Sequence, residues 1–101
     1  PWPDPQTVAQ GLKVPGPFAD YLILKALRET GGTALAVEDA EMLAAVREMA
    51  SLEGVFACPE GAATLAGLRK LLDQRFFRGD ERIVLLNTGS AYKYLDALAE
   101  G

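Results

Sequence analysis

The chain has 101 residues, 50% hydrophobic and 24% charged, with six Pro, ten Gly, one Cys and no His. That is room for one domain burying roughly 65% of its unfolded surface, and it is too apolar for a disordered segment. The net charge of -4, with Lys and Arg scattered, excludes the basic surface that nucleic acid requires.

Five of the six prolines, at positions 1, 3, 5, 15 and 17, lie in the first seventeen residues. Proline fixes φ and donates no amide hydrogen, so 1–17 reads as an extended arm with at most a short strand around 7–14. The start has neither the basic nor the apolar region of a signal peptide, and no apolar run reaches the ~20 residues of a membrane span. A soluble, cytoplasmic protein is expected. Residues 18–101 form the second unit, an α/β segment. Pro17 is placed to open a helix. From 18 to 29 the apolar residues Phe18, Tyr21, Leu22, Leu24 and Leu27 recur at helical steps, with Ile23 beside them, until Gly31-Gly32 ends the run.

Residues 33–37, Thr-Ala-Leu-Ala-Val, read as a strand buried on both faces, the kind found in parallel sheets. Asp39 offers a capping oxygen for a helix over 40–52, which stops at Gly54. On it Glu41, Arg47, Glu48 and Glu53 read as a solvated face. A strand-like piece, Val55-Phe56-Ala57, then meets Cys58-Pro59-Glu60-Gly61 and a helix that opens with small residues and continues to about Gln74. A polar and aromatic connector leads to a strand at 82–86. That strand runs into Asn87-Thr88-Gly89-Ser90 and a last helix over 91–99.

The expected order after the arm is helix, strand, helix, helix, strand, helix. Strands separated by helices should be parallel and joined by right-handed crossovers. The fold class is therefore α/β, a partial parallel sheet with flanking helices. Two or three strands make a thin sheet, which points to part of a larger domain.

Without histidine the chain lacks the commonest general base and metal ligand. A single Cys58 can neither close an internal disulfide nor hold zinc by itself, so no metal site is expected. With no histidine to activate it, Cys58 reads as a small buried filler. Trp2, Phe76 and Phe77 read as packing residues. Two glycine-bearing turns, 59–61 and 87–90, lie after strand-like pieces and before helices, where α/β sheets bind ligands. Both are equally explained as helix caps, with Thr88 and Ser90 as capping hydroxyls and Glu60 favoured by the dipole.

The residues of these turns also carry a resemblance. Gly16-Pro17-Phe18, the run from Glu53 through Cys58-Pro59-Glu60-Gly61 to Ala63, and Leu85-Leu86-Asn87-Thr88-Gly89-Ser90-Ala91-Tyr92-Lys93 together resemble the C-terminal third of threonine synthase. That enzyme is a pyridoxal-phosphate lyase of the tryptophan-synthase-β class, fold type II. The likeness runs from about residue 7 to 95 with the motifs in matching order.

It implies pyridoxal 5'-phosphate as cofactor and O-phosphohomoserine as substrate of the complete enzyme, which forms threonine and phosphate. By the same resemblance Thr88 would meet the pyridine nitrogen, and Gly89 would let the backbone pass close to the ring. Glu60 and Ser90 would line the cofactor site. Ser90 and Ala91 depart from the Gly-rich or His-containing versions of the last turn, so substrate contacts are not carried over to them.

Lys93 matches a recurrent structural lysine. Lys13, Lys25, Lys70 and Lys93 all lie outside the family's cofactor-lysine motif, and two of them fall on helix faces as solvated charges. No run matches the family's phosphate loop. The segment is therefore expected to be a C-terminal fragment, inactive alone, with no catalytic residue of its own and a tendency to self-associate through an unpaired sheet edge. The alternatives are another fold type II enzyme, of the threonine deaminase or cysteine synthase kind, and a free-standing non-catalytic module that binds a ligand or partner.

Overall fold

A computed structural model describes residues 4–9 and 19–95. Three α-helices follow one another, α1 over Asp20–Thr30, α2 over Asp39–Glu53 and α3 over Pro59–Asp73, and a short 3-10 helix spans Ala91–Tyr94. Both glycine stops are as expected. Gly31 (φ 68°) and Gly54 (φ 69°) take the left-handed conformation, and their amides donate to carbonyls in the last helical turn.

The start of α2 differs from expectation. Its N-cap is Glu38 rather than Asp39, and Glu41 closes a capping box by accepting from the Glu38 amide at 2.9 Å. Asp39 is thereby free to bind the arm: its carboxylate accepts from Thr7 Oγ1 at 2.6 Å and from the Val8 amide at 3.0 Å. The part of the expected 7–14 strand at 10–14, the Pro17 helix start, Phe18, Trp2 and Lys13 lie outside the described residues.

Helices α2 and α3 form the packed part of the molecule. Ala45, Val46, Ala57, Ala62 and Ala91 are buried together, with Met49, Phe56 and Leu65 packed against them. Four of the five are alanines, so the backbones approach closely and small side chains fill the interface. The rim is charged. Glu48 pairs with Arg69, and Lys70 pairs with Glu41 at 3.0 Å while donating to the Ala36 carbonyl at 2.7 Å. The helix face expected to be wholly solvated thus supplies cross-links to α3, because half-exposed long side chains can reach a neighbouring helix while keeping contact with water. Lys70 is one of those cross-links. Lys25, by contrast, stays exposed, 3.9 Å from Glu29.

The sheet expected from the sequence is not formed among the described residues. Residues 33–37 and 82–86 belong to no helix and no ladder, and the β pairing present is a single antiparallel bridge, Ala57 with Ser90. The physical reason is that a strand exists only through a neighbour. Here the two segments instead border a cavity of about 800 Å³ whose other wall is α3, at Ala63, Gly67 and Leu71. Val84 and Leu86 are more than 70% exposed.

α1 has the expected stripe but buries none of its residues. At 91–99 the chain starts as a 3-10 helix and turns α-helical at residue 95; the remainder of that expected helix lies outside the described residues. No helix among the described residues is long and apolar enough to cross a membrane.

Candidate functional site

The two glycine-bearing turns meet. The Cys58 amide donates to the Gly89 carbonyl at 3.1 Å, and the Ala91 amide donates to the Phe56 carbonyl at 3.0 Å, so 56–58 and 89–91 run alongside each other. Phe56 and Tyr92 seal the outer edge with an edge-to-face contact, centroids 4.8 Å apart and planes at 83°.

Glycine is required at the contact. A Cβ at Gly61 would overlap the Asn87 side chain and come within 3.3 Å of Asn87 Cα. Asn87 therefore rests directly on the first turn of α3. At Gly89 a Cβ would sit 3.4 Å from Cys58 Sγ, which is close but less severe.

Cys58 has a larger role than filler. It is the N-cap of α3, with its Sγ accepting from the Gly61 amide at 3.3 Å and Pro59 in the first helical position. It is 2% exposed. The same sulfur lies 3.9 Å from Thr88 Oγ1 and 4.0 Å from Asn87 Oδ1, so one thiol touches both turns. The sequence signal for this cap was a small polarisable side chain directly before Pro59, with Gly61 three residues on.

Of the residues singled out from sequence, Thr88, Gly89 and Ser90 come together beside Cys58. Thr88 is exposed. Ser90, not Thr88, caps the following helix, accepting from the Tyr92 amide at 3.2 Å. Glu60 sits in the first turn of α3 as expected. It faces elsewhere, however: its side chain lines the 800 Å³ cavity, which residues 88–90 do not border, and its Oε2 is shielded from solvent. Phe77 lines that cavity too, and its ring packs edge-on against the half-exposed Phe76 at 5.2 Å. No group of three or more metal-ligating side chains occurs among the described residues.

The electrostatics are modest. Hydrogen bonding to the Glu38 amide, helped by Lys70, holds the Glu41 carboxyl below the usual carboxylate range. Glu81 is lowered likewise, because it accepts from the amides of Arg78 and Gly79, both at 2.8 Å. Neither carboxylate belongs to the paired turns, where the polar side chains beside the contact are the hydroxyls of Thr88 and Ser90, the Cys58 thiol and the Asn87 amide.

Residues 1–89 match the family of pyridoxal-phosphate dependent enzymes. The chain is also similar to threonine synthase of Methanosarcina acetivorans, 43% identical over 90 residues that make up 89% of this chain and 22% of that protein. It is 38% identical over 97 residues to threonine synthase of Methanocaldococcus jannaschii, covering 96% of this chain and 24% of the relative. The Mycobacterium tuberculosis threonine synthase is 34% identical over 89 residues, 88% of this chain and 25% of the relative. The chain thus spans about a quarter of the length of these relatives.

Proposed function

The chain belongs to the family of pyridoxal-phosphate dependent enzymes, and from that premise we propose that it is the C-terminal portion of a threonine-synthase-like lyase. The complete enzyme would convert O-phosphohomoserine to threonine and phosphate. The observation that carries this reading is the meeting of the two turns, which leaves Thr88 exposed with its Oγ1 3.9 Å from the buried Cys58 thiol.

The residues present fit one edge of the cofactor. Bound pyridoxal phosphate supplies an electron sink for negative charge developing on the substrate carbons. Thr88 Oγ1 would hold the pyridine nitrogen as a neutral hydrogen-bond partner. A hydroxyl has no charge with which to keep a proton on that nitrogen, so it favours the unprotonated ring and suits elimination and replacement chemistry. Gly89 keeps a side chain out of the way of the ring. Ser90 holds the turn by capping the residues after it, and Glu60, which faces the separate cavity, is left out of this edge. A covalent lysine and a phosphate cradle would come from the rest of the enzyme.

The finer fold reading belongs here as well. Residues 33–37 and 82–86 would be strands of a parallel sheet whose neighbours lie in the rest of the enzyme, a reading supported by the exposed Ile83, Val84 and Leu86 and by the cavity between those segments and α3. Taken alone, the chain would self-associate through the same apolar surfaces. Sedimentation across a concentration series should show mass increasing with concentration, and a monomer throughout would contradict it.

The activity is tested with the complete protein that carries this segment, loaded with pyridoxal phosphate and given O-phosphohomoserine. Release of phosphate with matching formation of threonine is expected. A protein that instead deaminates threonine or makes cysteine would contradict the assignment. The 101-residue chain incubated with the cofactor should give no stoichiometric adduct on borohydride reduction, and such an adduct would overturn its reading as a portion inactive alone.

A further inference from the structure

The arm at 4–9 has neither helix nor ladder. Two of its hydrogen bonds stay within it, Gln6 Nε2 to Asp4 at 3.4 Å and the Ala9 amide to Thr7 Oγ1 at 3.2 Å. Among the described residues the two that leave it end on one carboxylate, since Thr7 Oγ1 donates to Asp39 Oδ1 at 2.6 Å and the Val8 amide to Asp39 Oδ2 at 3.0 Å. Both are charge-assisted and so stronger than bonds between neutral groups. The Thr7 hydroxyl is the centre of the clasp: it gives its hydrogen to Asp39 and takes that of Ala9, a fully buried residue.

Asp39 is spare to the helix it belongs to. The start of α2 is capped by Glu38 and Glu41, whose side chains and amides close the capping box between them. Loss of the Asp39 carboxylate therefore unfastens the arm and leaves the cap in place. Met42 follows Asp39 by three residues, so the two share one face of α2. It is 3% exposed and lines the cavity of about 800 Å³, as do Pro5, Gln6 and Thr7 of the arm. The segment clasped at Asp39 is thus the cavity wall on the Met42 side.

We infer that residues 4–9 are a strap, locked by Asp39, which lifts from the cavity beside Met42 without unfolding the α2–α3 unit. Extended backbone held through a single side chain opens at much lower free energy than packed helices do. The strap is independent of the cofactor contact proposed for Thr88, because residues 88–90 do not border this cavity.

The test is hydrogen exchange of the complete protein carrying this segment, read residue by residue, together with peroxide oxidation of its methionines. Met49, which packs on the core cluster outside the cavity, is the internal control. Asp39→Ala should raise exchange at Ala9, whose amide bonds to Thr7 and not to Asp39, by at least about tenfold. It should also speed oxidation of Met42 relative to Met49, with exchange in α3 and in α2 beyond its first turn unchanged. Asp39→Asn keeps an acceptor without the charge and should fall between.

Thr7→Val removes the hydroxyl from outside the helix and keeps the test decisive if Asp39→Ala does not fold. It should raise exchange at Val8, whose own bond is to Asp39, and again expose Met42. An arm as protected in these variants as in the unaltered protein, or a Met42 no more reactive, overturns the lock. Exchange raised equally in the arm, α2 and α3 overturns it as well, because Asp39 would then support the whole fold.

Discussion

Helices α1 and α2 are both rich in apolar side chains, and they end in opposite environments. In α1, Tyr21, Leu22, Ile23 and Leu24 are each at least 50% exposed, and no residue of the helix is buried. In α2, Met42, Leu43, Ala45 and Val46 are buried, and α3 supplies the covering face. Apolar periodicity therefore specifies that a helix forms and which stripe it offers, while burial depends on whether the same chain supplies a partner. The contrast extends to the site: the turns at 56–61 and 87–92 are packed on the α2–α3 unit, whereas residues 82–86, which lead into the second turn, are largely exposed.

The largest effect should come from placing a charge in the packed unit. Val46 is fully buried, so Val46→Asp should destabilise the chain by at least about 3 kcal/mol, measured by urea unfolding followed by circular dichroism. Loss of only a few tenths would mean that the α2–α3 core is not what holds the fold.

Next come two glycines of α3 with opposite expected signs. Gly61→Ala forces a methyl against Asn87 and should cost about 1–2 kcal/mol despite the better helix propensity of alanine. Gly67→Ala meets only Leu35 Cδ1, at 3.7 Å, and should stabilise by about 0.5–1 kcal/mol. Equal effects of the two would remove the special contact between the turns.

Acid should act on the start of α2. The Glu41 carboxyl is held low by the Glu38 amide and then by Lys70. Its contribution is present in full above the usual carboxylate range and is lost as the pH falls through its lowered folded value. In an acid titration the amides at the start of α2 should lose hydrogen-exchange protection in that window. Glu41→Gln should remove the pH dependence there.

The smallest effect belongs to α1, where Ile23→Lys should change the stability of the isolated chain by less than about 0.5 kcal/mol. A large loss would show that α1 is packed after all.

Much of the helical framework was legible in the sequence because its signals are local. Gly31 and Gly54 mark helix ends by their left-handed conformation, and the spacing of Met42, Leu43 and Val46 defines a stripe. The strands expected at 33–37 and 82–86 are not formed among the described residues, because a local apolar pattern does not supply the neighbour through which a strand exists. The cap at Glu38 was missed because Asp39 is the better intrinsic capping residue, yet its carboxylate is committed to Thr7 and Val8. At the site, the two turns could be picked out by their residues. Their contact depends on Asn87 lodging against Gly61 across 26 positions of sequence, and the capping role of Cys58 depends on the same fold.

The most direct measurement is the cofactor affinity of the complete protein, by absorbance titration with pyridoxal phosphate, for Thr88→Ser and Thr88→Ala. A hydroxyl contact to the ring nitrogen predicts that Thr88→Ser binds within about twofold of the unaltered protein, while Thr88→Ala binds at least about fivefold more weakly. Thr88→Ala binding as tightly as the unaltered protein would contradict the placement of the cofactor against this turn.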